Sequence, residues 1–170
     1  MTLKKLKKLA PKNRKLTDNF WLHELIFGTA IPLAGLKMII EDIDEMEDYD
    51  VLGVANMLQR MRTEINAEFK CKNNCKEIGI VVTAGFRCLR WELHNGRSGG
   101  SYHRRNAADW VPSNVSYDLS VEIMEWVENK YWDRETGWRG GFAIKKPDKK
   151  KGTIGFIHQD LRSSVARWYY

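Results

Sequence analysis

Two histidines and an aspartate stand out in this chain for the chemistry they could share. His103 ends the triplet Ser101-Tyr102-His103, Asp109 follows six positions later, and His158 opens the triplet His158-Gln159-Asp160 near the C-terminus. Two imidazoles and a carboxylate are the ligand set of a catalytic zinc site. In such sites three side chains hold the metal and a fourth position is left for a water whose pKa falls to roughly 7. Chemistry of that kind hydrolyses unreactive bonds, amides among them. Taken singly, each residue also has an ordinary structural role open to it: Asp109 capping a turn, His103 exposed on a loop, His158 satisfied within a core.

The elements that must position these residues are legible from periodicity. Val51, Val54, Leu58, Met61 and Ile65 recur at spacings of three and four, which predicts a helix from about residue 50 to 69 with one apolar face. The segment 71–75 breaks it. The β-branched run 78–84 has strand length and delivers Gly85-Phe86-Arg87, and a glycine-rich loop over 95–100 leads to His103. Residues 107–111 read as the next strand, closed by Pro112. A second helix is expected from Ser116 or Asp118 to about Tyr131. After Gly140-Gly141, residues 142–144 and 154–161 form a hairpin whose loop is a lysine run. Thr17-Asp18 offers caps for a short helical segment through Phe20, Trp21, Leu22, Leu25 and Ile26. The sum is a single α+β domain over 16–170, helices packed on a small, mostly antiparallel sheet, preceded by a basic arm over 1–15. Strand alternation puts His158 and Asp160 on one face and Gln159 on the other, and puts Asp109 opposite to Ala108 and Trp110. A carboxylate among such small and apolar neighbours needs a metal or a basic partner.

With 170 residues, 43% hydrophobic, the chain suits one domain with a real core. The basic arm is followed by no apolar run of signal-peptide type and no stretch approaches a membrane span, so synthesis in the cytoplasm without a signal is expected. Cys71, Cys75 and Cys88 are too few for a disulfide framework; reduced thiols or one bridge are expected, with a structural zinc at Cys71 and Cys75 the lesser alternative. The net charge of +6 suits polyanionic surroundings. Much of it lies in the arm and in Lys145, Lys146, Lys149, Lys150 and Lys151, both read as solvated loops.

An ordered series runs through nearly the whole chain. It comprises Leu16-Thr17-x-Asn19-Phe20-x-x-x-Glu24, Thr83-Ala84-Gly85-Phe86-Arg87, Asn95, Gly99-Gly100-Ser101-x-His103, Ala107-Ala108-Asp109, Gly155-Phe156-Ile157-His158-x-Asp160-x-Arg162 and Arg167-Trp168. In order and separation this series resembles the zinc D-alanyl-D-alanine peptidases, a family of D,D-carboxypeptidases, murein endopeptidases and phage endolysin domains. The resemblance implies Zn2+ held by His103, Asp109 and His158, with Arg87 binding substrate and stabilising the oxyanion, and Ser101 offering a hydroxyl to the substrate. It implies hydrolysis of an amide bond in peptidoglycan stem or cross-link peptides by a monomer of phage or prophage type. Such a protein would act at the cell wall after release or as a virion component, and its arm could hold anionic wall polymer.

The chain departs from the family pattern in two places. His103 and Asp109 are six rather than seven positions apart, and Asn106 stands where the family has glycine; a turn using left-handed backbone at Asn106 would absorb the difference. Gly155 also stands where several branches carry a general-base glutamate. Asp160 is then expected either to take the proton from the attacking water or to orient His158. The competing expectations are a non-catalytic zinc-binding or structural module of the same fold and, more remotely, a nucleic-acid-binding protein.

Overall fold

The computed structural model describes residues 14–170, so nearly all of the basic arm lies outside the described residues. The chain enters through Arg14, whose carbonyl accepts from Leu22 N, and a bridge between Lys15 and Trp21. Helix α1, Leu22–Ile26, starts later than the sequence suggests. Thr17 does not cap it: its Oγ1 accepts from Phe20 N at 3.2 Å and closes a turn, while Glu24 reaches back to Trp21 N at 2.7 Å. Helix α2, Leu33–Glu41, and a 3-10 turn, Ile43–Asp48, follow.

Helix α3, Val51–Phe69, forms where apolar periodicity places it, with Asp50 accepting from Gly53 N at 2.9 Å as its N-cap. Val54, Leu58, Met61, Ile65 and Phe69 are buried along one face. The helix stops at a turn in which Asn74 and Cys75 take left-handed backbone. Strand β1, Gly79–Ala84, comes next, then helix α4, Leu89–His94, and a 3-10 turn, Tyr102–Arg104. Strand β2, Ala107–Ser113, runs past Pro112, which pairs with Ile80. Proline is tolerated there because β4 pairs only as far as Trp110, leaving that side of β2 open. Helix α5, Tyr117–Tyr131, is capped by Ser116, and strands β3, Gly141–Lys145, β4, Phe156–Asp160, and β5, Ala166–Tyr169, complete the chain.

The five strands form one sheet in the order β1-β2-β4-β3-β5, antiparallel except for the β3–β5 pair. The α+β reading is therefore correct, and the lysine run connects β3 and β4 as expected. Trp110 and Gln159 lie on the core face, where Trp110 Nε1 donates to Gln159 Oε1 at 2.8 Å and Gln159 Nε2 contacts Met61 Sδ of α3 at 3.6 Å. The opposite face carries Asp109 and His158. No helix among the described residues is long and apolar enough to cross a membrane. Cys71 and Cys75 are exposed free thiols and Cys88 is buried.

One side chain fastens α3 to the sheet. Asn66 accepts from Ile78 N at 2.8 Å and donates to Ile78 O at 2.9 Å, mimicking a strand neighbour just ahead of β1. Replacing it strands two backbone groups, so Asn66→Ala should cost about 2 to 3 kcal/mol, read as a lower urea midpoint with unchanged slope. A loss below about 0.5 kcal/mol would show the contact is not structural.

Candidate metal centre

Three separate segments converge on one face of the sheet. Asp109 and His158 are direct cross-strand partners in the antiparallel β2–β4 pair, so backbone register alone sets their separation. His103 comes from the 3-10 turn, which is tied to the end of β1 by Arg87 N donating to His103 O at 3.0 Å. Gly85 lets these parts close up: a Cβ there would lie 2.1 Å from Leu25 O, and Phe86 N donates to that same carbonyl.

Each ring has one nitrogen held by the protein and one turned toward Asp109. His103 Nδ1 lies 2.7 Å from Gly85 O, an acceptor, so Nδ1 carries the proton and Nε2 is left with its lone pair. That Nε2 is buried and makes no hydrogen bond, although it sits 3.2 Å from Asp109 Oδ1. The distance satisfies an ion pair, but both atoms present lone pairs, and two acceptors face to face call for a cation between them. His158 Nε2 lies 3.2 Å from Asp160 Oδ2, and its Nδ1 lies 2.8 Å from Asp109 Oδ1. The donor atoms of the three residues are all within 4.8 Å of one another and all three residues are buried. Ligands bound at about 2.0 to 2.2 Å in a tetrahedron stand about 3.4 Å apart, close to the separations seen here. This cluster can hold a metal ion.

Burial lowers the pKa of His103 and keeps it neutral. Burial would do the same to His158, but hydrogen bonds to Asp109 and Asp160 outweigh it and raise the value. Burial works against ionisation of Asp109 as well, yet the two imidazoles hold its carboxyl well below the usual range. A metal ion would take the place of the proton between His158 and Asp109.

The short His103–Asp109 connection is absorbed, though not as expected. Arg104 N donates to Ser101 O, and both Arg105 N and Asn106 N donate to Tyr102 O, so the turn tightens to 3-10 geometry. Asn106 is not among the residues with left-handed backbone. A 3-10 turn advances the chain with fewer residues per turn than an α-helix, which compensates for the missing one.

The other expected site residues fall in different roles. Arg87 lines the cleft and donates from Nη2 to Asp109 Oδ2 at 2.8 Å, supplying the basic partner that carboxylate needed. Ser101 lines it too, and its Oγ accepts from His103 N at 3.3 Å. Asp160 shares the face of His158 but is fully buried and does not line the cleft. It accepts from Gly141 N at 2.9 Å and from both Nε (2.8 Å) and Nη2 (2.5 Å) of Arg162. Burial raises its pKa, but His158, Arg162 and the Gly141 amide together bring it far below the ordinary value. So weak a base, closed off from the cleft, orients His158 and does not collect a proton. Arg162 in turn lies over the Tyr102 ring at 3.8 Å, linking the His158 strand to the His103 turn.

A cleft of about 900 Å³ opens over the cluster, and one residue that sequence reasoning passed over, Glu92, lies on its wall. Glu92 is fully buried, with Oε1 3.1 Å from Arg97 Nη1 and 3.7 Å from Arg87 Nη1. A carboxylate five residues after Arg87, beside Trp91 in a short apolar helix, was the available sign. Compared with known protein families, with curated proteins and with solved structures, the chain shows no match.

The pH response follows from these shifts. Asp109 and Asp160 are depressed relative to the unfolded chain, so their stabilisation is complete above about pH 4 and is lost as pH falls toward their folded values. His158 is raised, so its contribution is full below about pH 6.5 and is lost as pH climbs through its folded value. Urea titrations of metal-free protein should show stability dropping below about pH 4, with a shallower drop in Asp160→Asn. An equal acid slope in both would remove Asp160 from the balance.

Proposed function

We propose that this protein is a zinc-dependent peptidase that hydrolyses amide bonds in peptidoglycan stem or cross-link peptides. The observation that carries the reading is the buried, unpartnered His103 Nε2, set with His158 and Asp109 around one point on a cleft large enough for a short peptide. An N/O donor set with two imidazoles suits zinc among the common metals. When bound, the ion would supply Lewis acidity and a water of lowered pKa. The peptidoglycan substrate is supported by the ordered likeness of residues 16–168 to the zinc D-alanyl-D-alanine peptidases. A lytic protein of phage type, acting at the wall, is the setting that substrate implies.

The chain's own groups have definable parts in this reaction. Gly85 O and Asp160 lock the two imidazole rings, so the nitrogens that address the metal are the ones left toward Asp109. Arg87 is held by Asp109 and beside Glu92, which fixes a permanent positive charge next to the cluster before substrate arrives. A preorganised guanidinium of this kind stabilises charge developing on a carbonyl oxygen.

The purified protein, stripped and reloaded, should bind one equivalent of zinc and release muropeptide fragments from cell walls in a chelator-sensitive manner. His103→Ala should abolish both, and Asp160→Asn should weaken zinc binding about 10- to 100-fold by freeing the His158 ring. Zinc bound without hydrolysis of any wall preparation would instead make the protein a non-catalytic module. Absence of zinc binding would defeat the proposal outright.

A further inference from the structure

The cleft wall opposite the His158 strand carries a second charged arrangement outside the metal cluster. Four cationic side chains line the cleft: Arg87, Arg97, Lys145 and Arg162. Arg162 is spent on Asp160, and Arg87 is spent on Asp109 with Glu92 beside it. Lys145 lies at the far end over the Phe156 ring. Arg97 differs from them. Its side chain is 46% exposed, and its one side-chain hydrogen bond to a described residue runs from Nη1 to Glu92 Oε1.

Arg97 is also held in place from two directions. Helix α4 ends in a tight turn with Gly96 at φ +68°, and Arg97 N comes back to donate to Glu92 O at 3.0 Å. Backbone and side chain of Arg97 therefore both close on the same glutamate. Burying Glu92 completely is expensive: a carboxylate out of water loses several kcal/mol of hydration that only close, well-placed cations return. An arginine on a solvated loop does not need such a partner to be stable. A buried carboxylate between two guanidiniums does, however, overcome their mutual repulsion and hold both on one wall. It leaves the outer edge of the Arg97 fork directed at whatever enters.

We infer that Arg97, fixed by Glu92 beside Arg87, is the binding site for a free carboxylate of the ligand. This deepens the peptidase reading and rests on it for the word substrate: the preferred peptide would carry an ionised terminal carboxyl close to the bond that is cut. Guanidinium is suited to this because its planar fork matches a carboxylate with two parallel hydrogen bonds. Glu92 is then a positioning residue and makes no contact with the reacting atoms.

The test uses N-acetyl-D-alanyl-D-alanine and its C-terminal amide, which differ only in the carboxylate. Calorimetric binding to zinc-loaded and to metal-free protein, together with hydrolysis rates, should show the acid preferred over the amide about 10- to 100-fold, the worth of a charge-assisted hydrogen bond pair. Arg97→Ala should collapse that preference, Arg97→Lys should recover part of it, and Glu92→Gln should reduce it through KM rather than kcat. Circular dichroism of each variant guards against misfolding. If the wild type binds the acid through Arg97 but hydrolyses neither compound, the carboxylate site stands and the peptidase reading fails. If it hydrolyses acid and amide equally, or if Arg97→Ala keeps the preference, or if neither compound binds, the carboxylate site is overturned.

Discussion

Everything on the functional face depends on one buried carboxylate. Asp109 is nearly sealed from water, yet it is ionised, because Arg87 donates to one oxygen while the two imidazoles crowd the other. A lone carboxylate in that position would be untenable. Its presence forces β1 to present Arg87, β4 to present His158 and the turn after the glycine-rich loop to present His103. The sheet register makes this possible at little cost, since Asp109 and His158 are cross-strand neighbours whatever the side chains do.

Around this carboxylate the polar groups are layered so that each ring has a fixed orientation. Gly85 O holds one imidazole and Asp160 the other, and Asp160 is itself fixed by Arg162, by Gly141 N and by the pairing of β4 with β3. The network links four strands and one turn through charge-assisted hydrogen bonds. Such networks are worth keeping only when every member is satisfied. The conspicuous exception is His103 Nε2, which lies at the centre with no hydrogen bond and is the atom best placed to receive a cation.

The core on the other side of the sheet is conventional by comparison. Helices α3 and α5 supply Leu58, Met61, Ile65, Ile123 and Val127 against Trp110 and Ile157. The buried polar atoms there pair with one another, as Gln159 does with Trp110. This division into an apolar face and a charged face lets the sheet serve as a rigid mount. Residues on strands are located more firmly than residues on loops, and two of the three cluster residues are on strands.

The sequence by itself determined the helices at 51–69 and 117–131, the strands at 79–84 and 107–113, and the β3–β4 hairpin. In these segments local apolar period and local capping agree with the final packing. It also determined which side of each strand Asp109, His158, Gln159 and Asp160 would occupy, because alternation needs no knowledge of neighbours. Only the tertiary structure decided the rest. Helix α4 and strand β5 are too short to carry a period, and β5 exists only through parallel pairing with β3, a non-local contact. The role of Asp160 turned on Arg162 and Gly141 closing over it, and the role of Glu92 on a turn at Gly96 that returns Arg97 to the same carboxylate. Charge on a residue is visible in its letter; whether that charge is buried, paired or offered to a cleft is settled only by what folds against it.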